Sequence, residues 1–133
     1  MTKILIIEDT EEMRFLLKNY LERMLKYEVV EAPNGLDGIK VARAEKPDVI
    51  ILDLMMPVAT GDLALGFIRS TPTLSTIPVI VSSAHPNAQR IATQLGADSC
   101  LKKPYDLFAL KEAIEKVLKE APKPGETPTP LEA

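Results

Sequence analysis

Acidic, hydroxyl and basic side chains follow the short apolar runs of this sequence. The residues at these positions are Glu8, Asp9, Asp53, Ser82, Ser83, Lys102 and Lys103. Three carboxylates in one pocket raise one another's pKa, so such a cluster needs a divalent cation or a lysine nearby. Carboxylate oxygens suit Mg²⁺. With one cysteine and one histidine in the chain, the residues do not favour a zinc or copper site.

The chemistry that this set suits is phosphoryl transfer to a carboxylate. Asp53 could attack phosphorus and form an aspartyl phosphate, while a metal and Lys103 neutralise the charge of the transferring group. Each residue alone has a simpler interpretation: Asp9, with Glu12 three positions later, could cap a helix. We favour the chemical interpretation because all these residues are predicted to lie at one edge of a sheet.

The elements that would position them alternate along the chain. Short, mostly apolar runs predict strands over residues 4–7, 28–32, 49–52, 79–81 and 98–102. Apolar residues at helical spacing predict helices between and after the strands, over residues 13–25, 34–45, 61–70, 86–95 and 107–118. Alternation of this kind predicts an α/β protein with a parallel sheet between two helix layers. A small Rossmann-like half and a flavodoxin-like sheet both fit, and both bind ligands at the carboxyl ends of their strands.

Bulk properties narrow the class of protein. The chain has 133 residues and a net charge of −3. We expect one domain over residues 1–120 and, at 121–133, a proline-rich segment that is a disordered tail or the stub of a linker. The acidic balance argues against nucleic-acid binding by this domain. No apolar stretch is long enough to span a membrane, so we expect a cytoplasmic protein without membrane contact.

Four segments in order resemble the response-regulator receiver family of two-component signalling. They are Ile6-Ile7-Glu8-Asp9, Leu52-Asp53-Leu54-Met55-Met56-Pro57, Val81-Ser82-Ser83-Ala84 and Lys102-Lys103-Pro104. The resemblance covers about residues 2–120. It implies a flavodoxin-like, doubly wound, five-stranded parallel sheet of strand order 2-1-3-4-5 in three α/β/α layers. It also implies that a sensor histidine kinase or a phosphotransfer protein supplies a phosphoryl group.

The resemblance assigns roles residue by residue. Asp53 matches the phosphoacceptor, Ser83 rather than Ser82 the switch hydroxyl, and Lys103 the lysine that contacts the phosphate. Mg²⁺ would be held by Glu8, Asp9, Asp53 and the backbone carbonyl of Met55. The Lys103–Pro104 peptide bond matches one that is typically cis, an isomer that costs only about 0.5–1 kcal/mol before proline.

The sequence departs from the family pattern where the signal is read out. Cys100 stands where the family has its switch aromatic, three residues before the lysine, and a thiol is too small to report the switch by ring rotation. The two positions that tend to set the phosphoryl lifetime in this family are Met55 and His85. Apolar Met55 should hinder an attacking water, so we predict slow self-dephosphorylation.

The predicted function is therefore a receiver that accepts a phosphoryl group on Asp53 and signals by conformational change. It catalyses only its own phosphorylation and slow dephosphorylation, and its output partner would be an effector protein or a second copy of the chain. The main alternative is a pseudo-receiver, an interaction module that is never phosphorylated. A cofactor binder or a haloacid-dehalogenase-like phosphatase fits less well, because neither a glycine-rich loop nor an Asp-x-Asp pair follows the first strand.

Overall fold

The computed structural model describes residues 1–56 and 60–120 of the chain. In these residues five strands alternate with five α-helices. Their bounds are β1 (Lys3–Ile7), α1 (Glu11–Asn19), β2 (Glu28–Ala32), α2 (Gly35–Glu45), β3 (Val49–Leu52), α3 (Gly61–Ser70), β4 (Val79–Ser83), α4 (Ala88–Gln94), β5 (Ser99–Lys102) and α5 (Leu107–Glu120). Apart from the first helix, the predicted bounds differ from these by no more than about two residues, the usual uncertainty at the ends of elements.

All strand pairs are parallel, and the sheet has the order β2-β1-β3-β4-β5. The flavodoxin-like prediction is confirmed. Two cores cover the two faces of the sheet. Helices α2, α3 and α4 contribute to one core, and α1 and α5 contribute to the other.

The central strands explain why the sheet forms. Every residue of β3 and β4 is buried, as are the last four residues of β1. Strands covered on both faces have no alternation of polar and apolar residues, which is why these segments read as continuous apolar runs. Their carboxyl ends lie side by side because Ile7 of β1 is in register with Leu52 of β3. The residues that follow these two strands are therefore neighbours.

The first helix differs from its prediction. The helical spacing predicts one helix through Leu25, but α1 ends at Asn19 and a π-helical turn, Tyr20–Met24, follows it. The backbone N–H of Leu25 donates to the carbonyl of Tyr20, five residues back, at 3.3 Å. A π turn adds a residue to the helical repeat, so the side chains after it move around the axis. Met24 is 71% exposed although its spacing predicts a core position.

Two sequence predictions lie outside the described residues, at least in part. One is the proline-rich segment 121–133, and the other is the motif at residues 52–57, whose last residue, Pro57, is not described. Across residues 1–56 and 60–120, no helix is both long and apolar enough to cross a bilayer.

Candidate functional site

Three carboxylates meet at the carboxyl edge of the sheet. Glu8 and Asp9 follow β1 and Asp53 follows β3, and one carboxylate oxygen from each lies within 4.8 Å of the others. Glu8 and Asp53 are buried, at 3% and 5% exposure, whereas Asp9 is exposed. Two buried carboxylates and one exposed carboxylate suit a hard divalent cation, because such a cation binds oxygen ligands and keeps some of its water molecules on the exposed side. The donor set therefore fits the metal that the sequence implies.

Lys103, the residue after β5, brings a positive charge to the same place. Its Nζ donates to Glu8 Oε1 at 2.5 Å and to Asp53 Oδ2 at 3.3 Å. The backbone places it there, because the N–H of Lys103 donates to the carbonyl of Ser83 at the end of β4, at 2.9 Å. The Lys103–Pro104 bond is cis, as the resemblance implies.

Asp53 is held by its own backbone and by the loop that follows. Its N–H donates to the carbonyl of Ile7 at 3.0 Å, and its Oδ1 accepts from the N–H of Met55 at 3.0 Å. The loop returns close to Asp53 at Gly61, where a Cβ would lie only 2.1 Å from the Asp53 carbonyl oxygen. Glycine is needed at this position because the backbones approach so closely.

Burial and charge shift the pKa values of two of these groups. Burial raises the pKa of Glu8 to about 7, against the opposing effect of Lys103, and the charge of Asp53 adds to the rise. For Lys103, burial acts to lower the pKa, but the hydrogen bond and charge of Glu8 and the charge of Asp53 outweigh it and the pKa is raised. Lys103 therefore carries a positive charge at neutral pH.

The two serines at the end of β4 have different partners. Ser83 is fully buried, and its Oγ accepts from the N–H of His85 at 3.1 Å. The Oγ of Ser82 lies 2.7 Å from the hydroxyl of Tyr105, with which it shares a hydrogen bond. The Nδ1 of His85 also has a donor, the N–H of Asn87 at 2.9 Å.

Cys100 is partly buried against the core that α4 covers. Its position in β5 is in register with Val81 of β4. Burial raises the pKa of its thiol, which disfavours the reactive thiolate. Cys100 therefore fits a small packing residue, the interpretation that free cysteine usually has.

Sequence reasoning missed two contacts at the site and retained one wrong alternative. Arg14 donates to the backbone carbonyls of Glu8 and Asp9, and Tyr105 bonds to Ser82; neither residue carries a motif of its own. Asp9 is not the helix cap, because the N-cap of α1 is Thr10, which makes no side-chain cap hydrogen bond. The carboxylate of Asp9 lies instead with the metal-ligand candidates.

Comparisons with known proteins show which family has this fold and sequence. The family described as the response regulator receiver domain matches residues 4–115. Protein PilH of Pseudomonas aeruginosa is 35% identical over 120 residues, which are 89% of this chain and 98% of that protein. The sensor histidine kinase TmoS of Ectopseudomonas mendocina is 30% identical over 119 residues, and the chain spans only 12% of its length.

Among solved structures, the chemotaxis protein CheY4 of Vibrio cholerae superimposes with a TM-score of 0.81 at 27% identity, over 88% of this chain and 98% of that one. The family match covers most of the chain, and the matched residues include the five-stranded sheet, the three carboxylates and Lys103. The chain belongs to the response regulator receiver domain family of two-component systems.

Proposed function

We propose that this receiver domain accepts a phosphoryl group on Asp53 from a histidine kinase or a phosphotransfer protein, with the help of Mg²⁺. The observation that carries the proposal is the setting of the Asp53 carboxylate. It is buried, with two further carboxylates close by and an ammonium group 3.3 Å from one oxygen. A buried aspartate that lies beside two other carboxylates and an ammonium group is poorly explained as a turn former or a helix cap.

The proposed metal ligands are Glu8, Asp9, Asp53 and the backbone carbonyl of Met55. A bound Mg²⁺ would supply positive charge against the equatorial oxygens of the phosphoryl group, as metals do in phosphoryl transfer generally. In this proposal exposed Asp9 contacts the metal directly, and buried Glu8 acts largely through water. Binding of the cation would also favour ionised Glu8, whose pKa of about 7 leaves it partly protonated at neutral pH.

In the proposed reaction a carboxylate oxygen of Asp53 forms a bond to phosphorus while the bond from phosphorus to the donor's leaving group breaks. The electron pair leaves with that group, which is an imidazole nitrogen of the kinase or the acetate of acetyl phosphate. Lys103 contacts both Asp53 and Glu8 before the reaction, so its charge is already in place. The domain catalyses this transfer to itself and the slow hydrolysis of the product, in which water takes the phosphoryl group from Asp53 and inorganic phosphate leaves; it catalyses no other reaction.

The switch hydroxyl of the proposal is Ser83. Its Oγ accepts from the N–H of His85 here and can still donate its own hydrogen to a phosphoryl oxygen; a movement of the hydroxyl toward the phosphoryl group would stretch the bond to His85. Ser82 is the weaker candidate because Ser83 is the residue that matches the switch position of the family, and the Oγ of Ser82 is shared with the hydroxyl of Tyr105. Breaking the bond between Ser83 and His85 would alter the loop that leads into α4, a local change of the kind that shifts a two-state equilibrium.

The phosphoryl lifetime and the partners follow from the same features. The side chain of Met55 is 53% exposed beside the acceptor and offers no group to activate water, which supports slow self-dephosphorylation. The proposed output partner is an effector protein or a second copy of the chain, reached in the cytoplasm without nucleic-acid or membrane contact. One relative is a much longer kinase, so the proposal covers both a receiver that acts alone and a receiver that is one domain of a longer regulator.

Phosphorylation by acetyl phosphate and Mg²⁺, followed by intact-mass measurement, tests the proposal. We expect one phosphoryl adduct on the wild type and none on Asp53→Asn. Asp62→Asn is the matched control, because Asp62 is an exposed aspartate of the first turn of α3 and should leave the adduct unchanged. If the wild type gives no adduct with acetyl phosphate or with a cognate kinase, the pseudo-receiver alternative replaces this proposal.

A further inference from the structure

Arg14 reaches back from the first turns of α1 to the end of β1. Its Nη1 donates to the backbone carbonyl of Glu8 at 2.6 Å and to that of Asp9 at 3.2 Å. Only 17% of its side chain is exposed. One guanidinium nitrogen thus joins the two consecutive peptide groups that carry the acidic side chains of the β1–α1 loop.

The other end of this contact is anchored in the sheet. Arg14 Nε lies 3.8 Å from Glu31 Oε1, and Glu31 is in β2, in register with Ile6 of β1. The N-cap residue Thr10 offers no side-chain cap to hold the same loop; its N–H donates instead to Glu8 Oε2 at 3.3 Å. Arg14 therefore links the loop of the acidic pair to both its helix and the neighbouring strand.

Such a link matters because a metal site depends on the orientation of its ligands. Groups that hold the ligand residues in place without touching the metal can be worth one to two orders of magnitude in affinity, roughly 10–100-fold. Carbonyl oxygens tied by a guanidinium fix the peptide planes of both residues, and hence the directions of their side chains. Arginine suits this task, since its rigid, planar fork stays charged at all accessible pH values.

We propose that Arg14 is a positioning residue for the metal site, which holds Glu8 and Asp9 in the orientation that binds Mg²⁺. The inference rests on the proposed function. The change in Mg²⁺ affinity on removal of Arg14 should have the opposite sign to the change that its charge alone would cause. Arg14 is a cation close to the cation site, so Coulomb repulsion alone predicts that its removal strengthens Mg²⁺ binding. Positioning predicts that its removal weakens binding.

Isothermal titration of the metal-free protein with Mg²⁺ distinguishes the two effects. For Arg14→Met we expect the Kd to rise about tenfold. Lys18→Met is the matched control, because Lys18 also pairs with Glu31, at 3.4 Å, and has no hydrogen bond to the loop carbonyls among the described residues. It should bind Mg²⁺ as the wild type does. Arg14→Lys, which keeps the charge but loses the fork, should fall between Arg14→Met and the wild type.

Hydrogen exchange without metal gives a second readout. The amide of Thr10 should exchange faster in Arg14→Met than in Lys18→Met, because the loop that holds its acceptor has lost its link. If Arg14→Met does not fold, the comparison of Arg14→Lys with the wild type carries the test.

The outcomes separate the two proposals. A wild type that does not bind Mg²⁺ removes the metal part of the proposed function and this inference with it. A wild type that binds Mg²⁺, with the Arg14 variants binding as tightly as Lys18→Met or more tightly, overturns the inference alone.

Discussion

Replacing Glu8 by glutamine should remove a loss of stability that the metal-free protein suffers as the pH rises in a defined window. Burial raises the folded-state pKa of Glu8 to about 7, against an ordinary value of 4.5. A carboxyl whose pKa is raised on folding contributes its full stability below pH 4.5 and loses it as the pH rises through 7. Ionised Glu8 therefore destabilises the metal-free fold at and above neutral pH. For a shift of this size the full effect is on the order of 3 kcal/mol.

The assay is urea unfolding in EDTA at pH 5, 6, 7 and 8, for the wild type and Glu8→Gln. At pH 5 Glu8 is still protonated in the folded protein, so most of its contribution to stability remains. As the pH rises the wild type should lose stability relative to Glu8→Gln, most steeply between the ordinary pKa of 4.5 and the folded-state pKa of about 7, with little further loss by pH 8. Glu112→Gln, on the exposed face of α5, is the control and should show no such trend. A difference that stays flat, or that grows in favour of the wild type, would refute the reasoning.

Three further predictions test how the site is held. Lys103→Met should slow phosphorylation by acetyl phosphate about a hundredfold, as the loss of a charge-stabilising donor does in other sites. The initial rate of adduct formation measures this effect. An unchanged rate would mean that the lysine does not act on the transferring group. Gly61→Ala should lower the unfolding free energy by roughly 1–3 kcal/mol, since its Cβ would meet the backbone of Asp53 and Leu54. Gly66→Ala, with open space around the new Cβ, should instead raise the unfolding free energy by about 0.5–1 kcal/mol. Equal effects of the two variants in urea unfolding would contradict the close approach at Gly61. Asn34→Ala should cost about 1 kcal/mol in the same assay, because Asn34 Oδ1 caps α2 by accepting from the N–H of Asp37 at 2.8 Å, and a neutral substitution would show that the cap is dispensable.

The strands were predictable because their physics is local. Residues covered on both faces of a parallel sheet are mostly apolar, so the last four residues of β1, all of β3 and the first three residues of β4 appear in the sequence as apolar runs. Their polar neighbours Glu8, Asp53 and Ser83 then fall at one edge of the sheet by the rule that governs parallel strands. The strand order needed the family resemblance, since alternation alone left a Rossmann-like half open.

What the sequence did not reveal depends on contacts between distant residues. Arg14 occupies a helix position that would suit any surface arginine, and only the fold shows that it reaches the carbonyls of Glu8 and Asp9. Tyr105 likewise meets Ser82 across 23 positions of sequence. The π turn after Asn19 escaped prediction because the apolar spacing fits an ordinary helix, and the extra residue per turn emerges only when Leu21 packs in the core while Met24 does not.

Reductive trapping of the phosphorylated protein tests the central claim most directly. Borohydride converts an aspartyl phosphate to homoserine, and peptide sequencing then identifies the residue that carried the phosphoryl group. After treatment with acetyl phosphate and Mg²⁺, we expect the conversion at Asp53 alone, and none when EDTA replaces Mg²⁺. Conversion at another carboxylate, or none in the presence of Mg²⁺, would contradict the account.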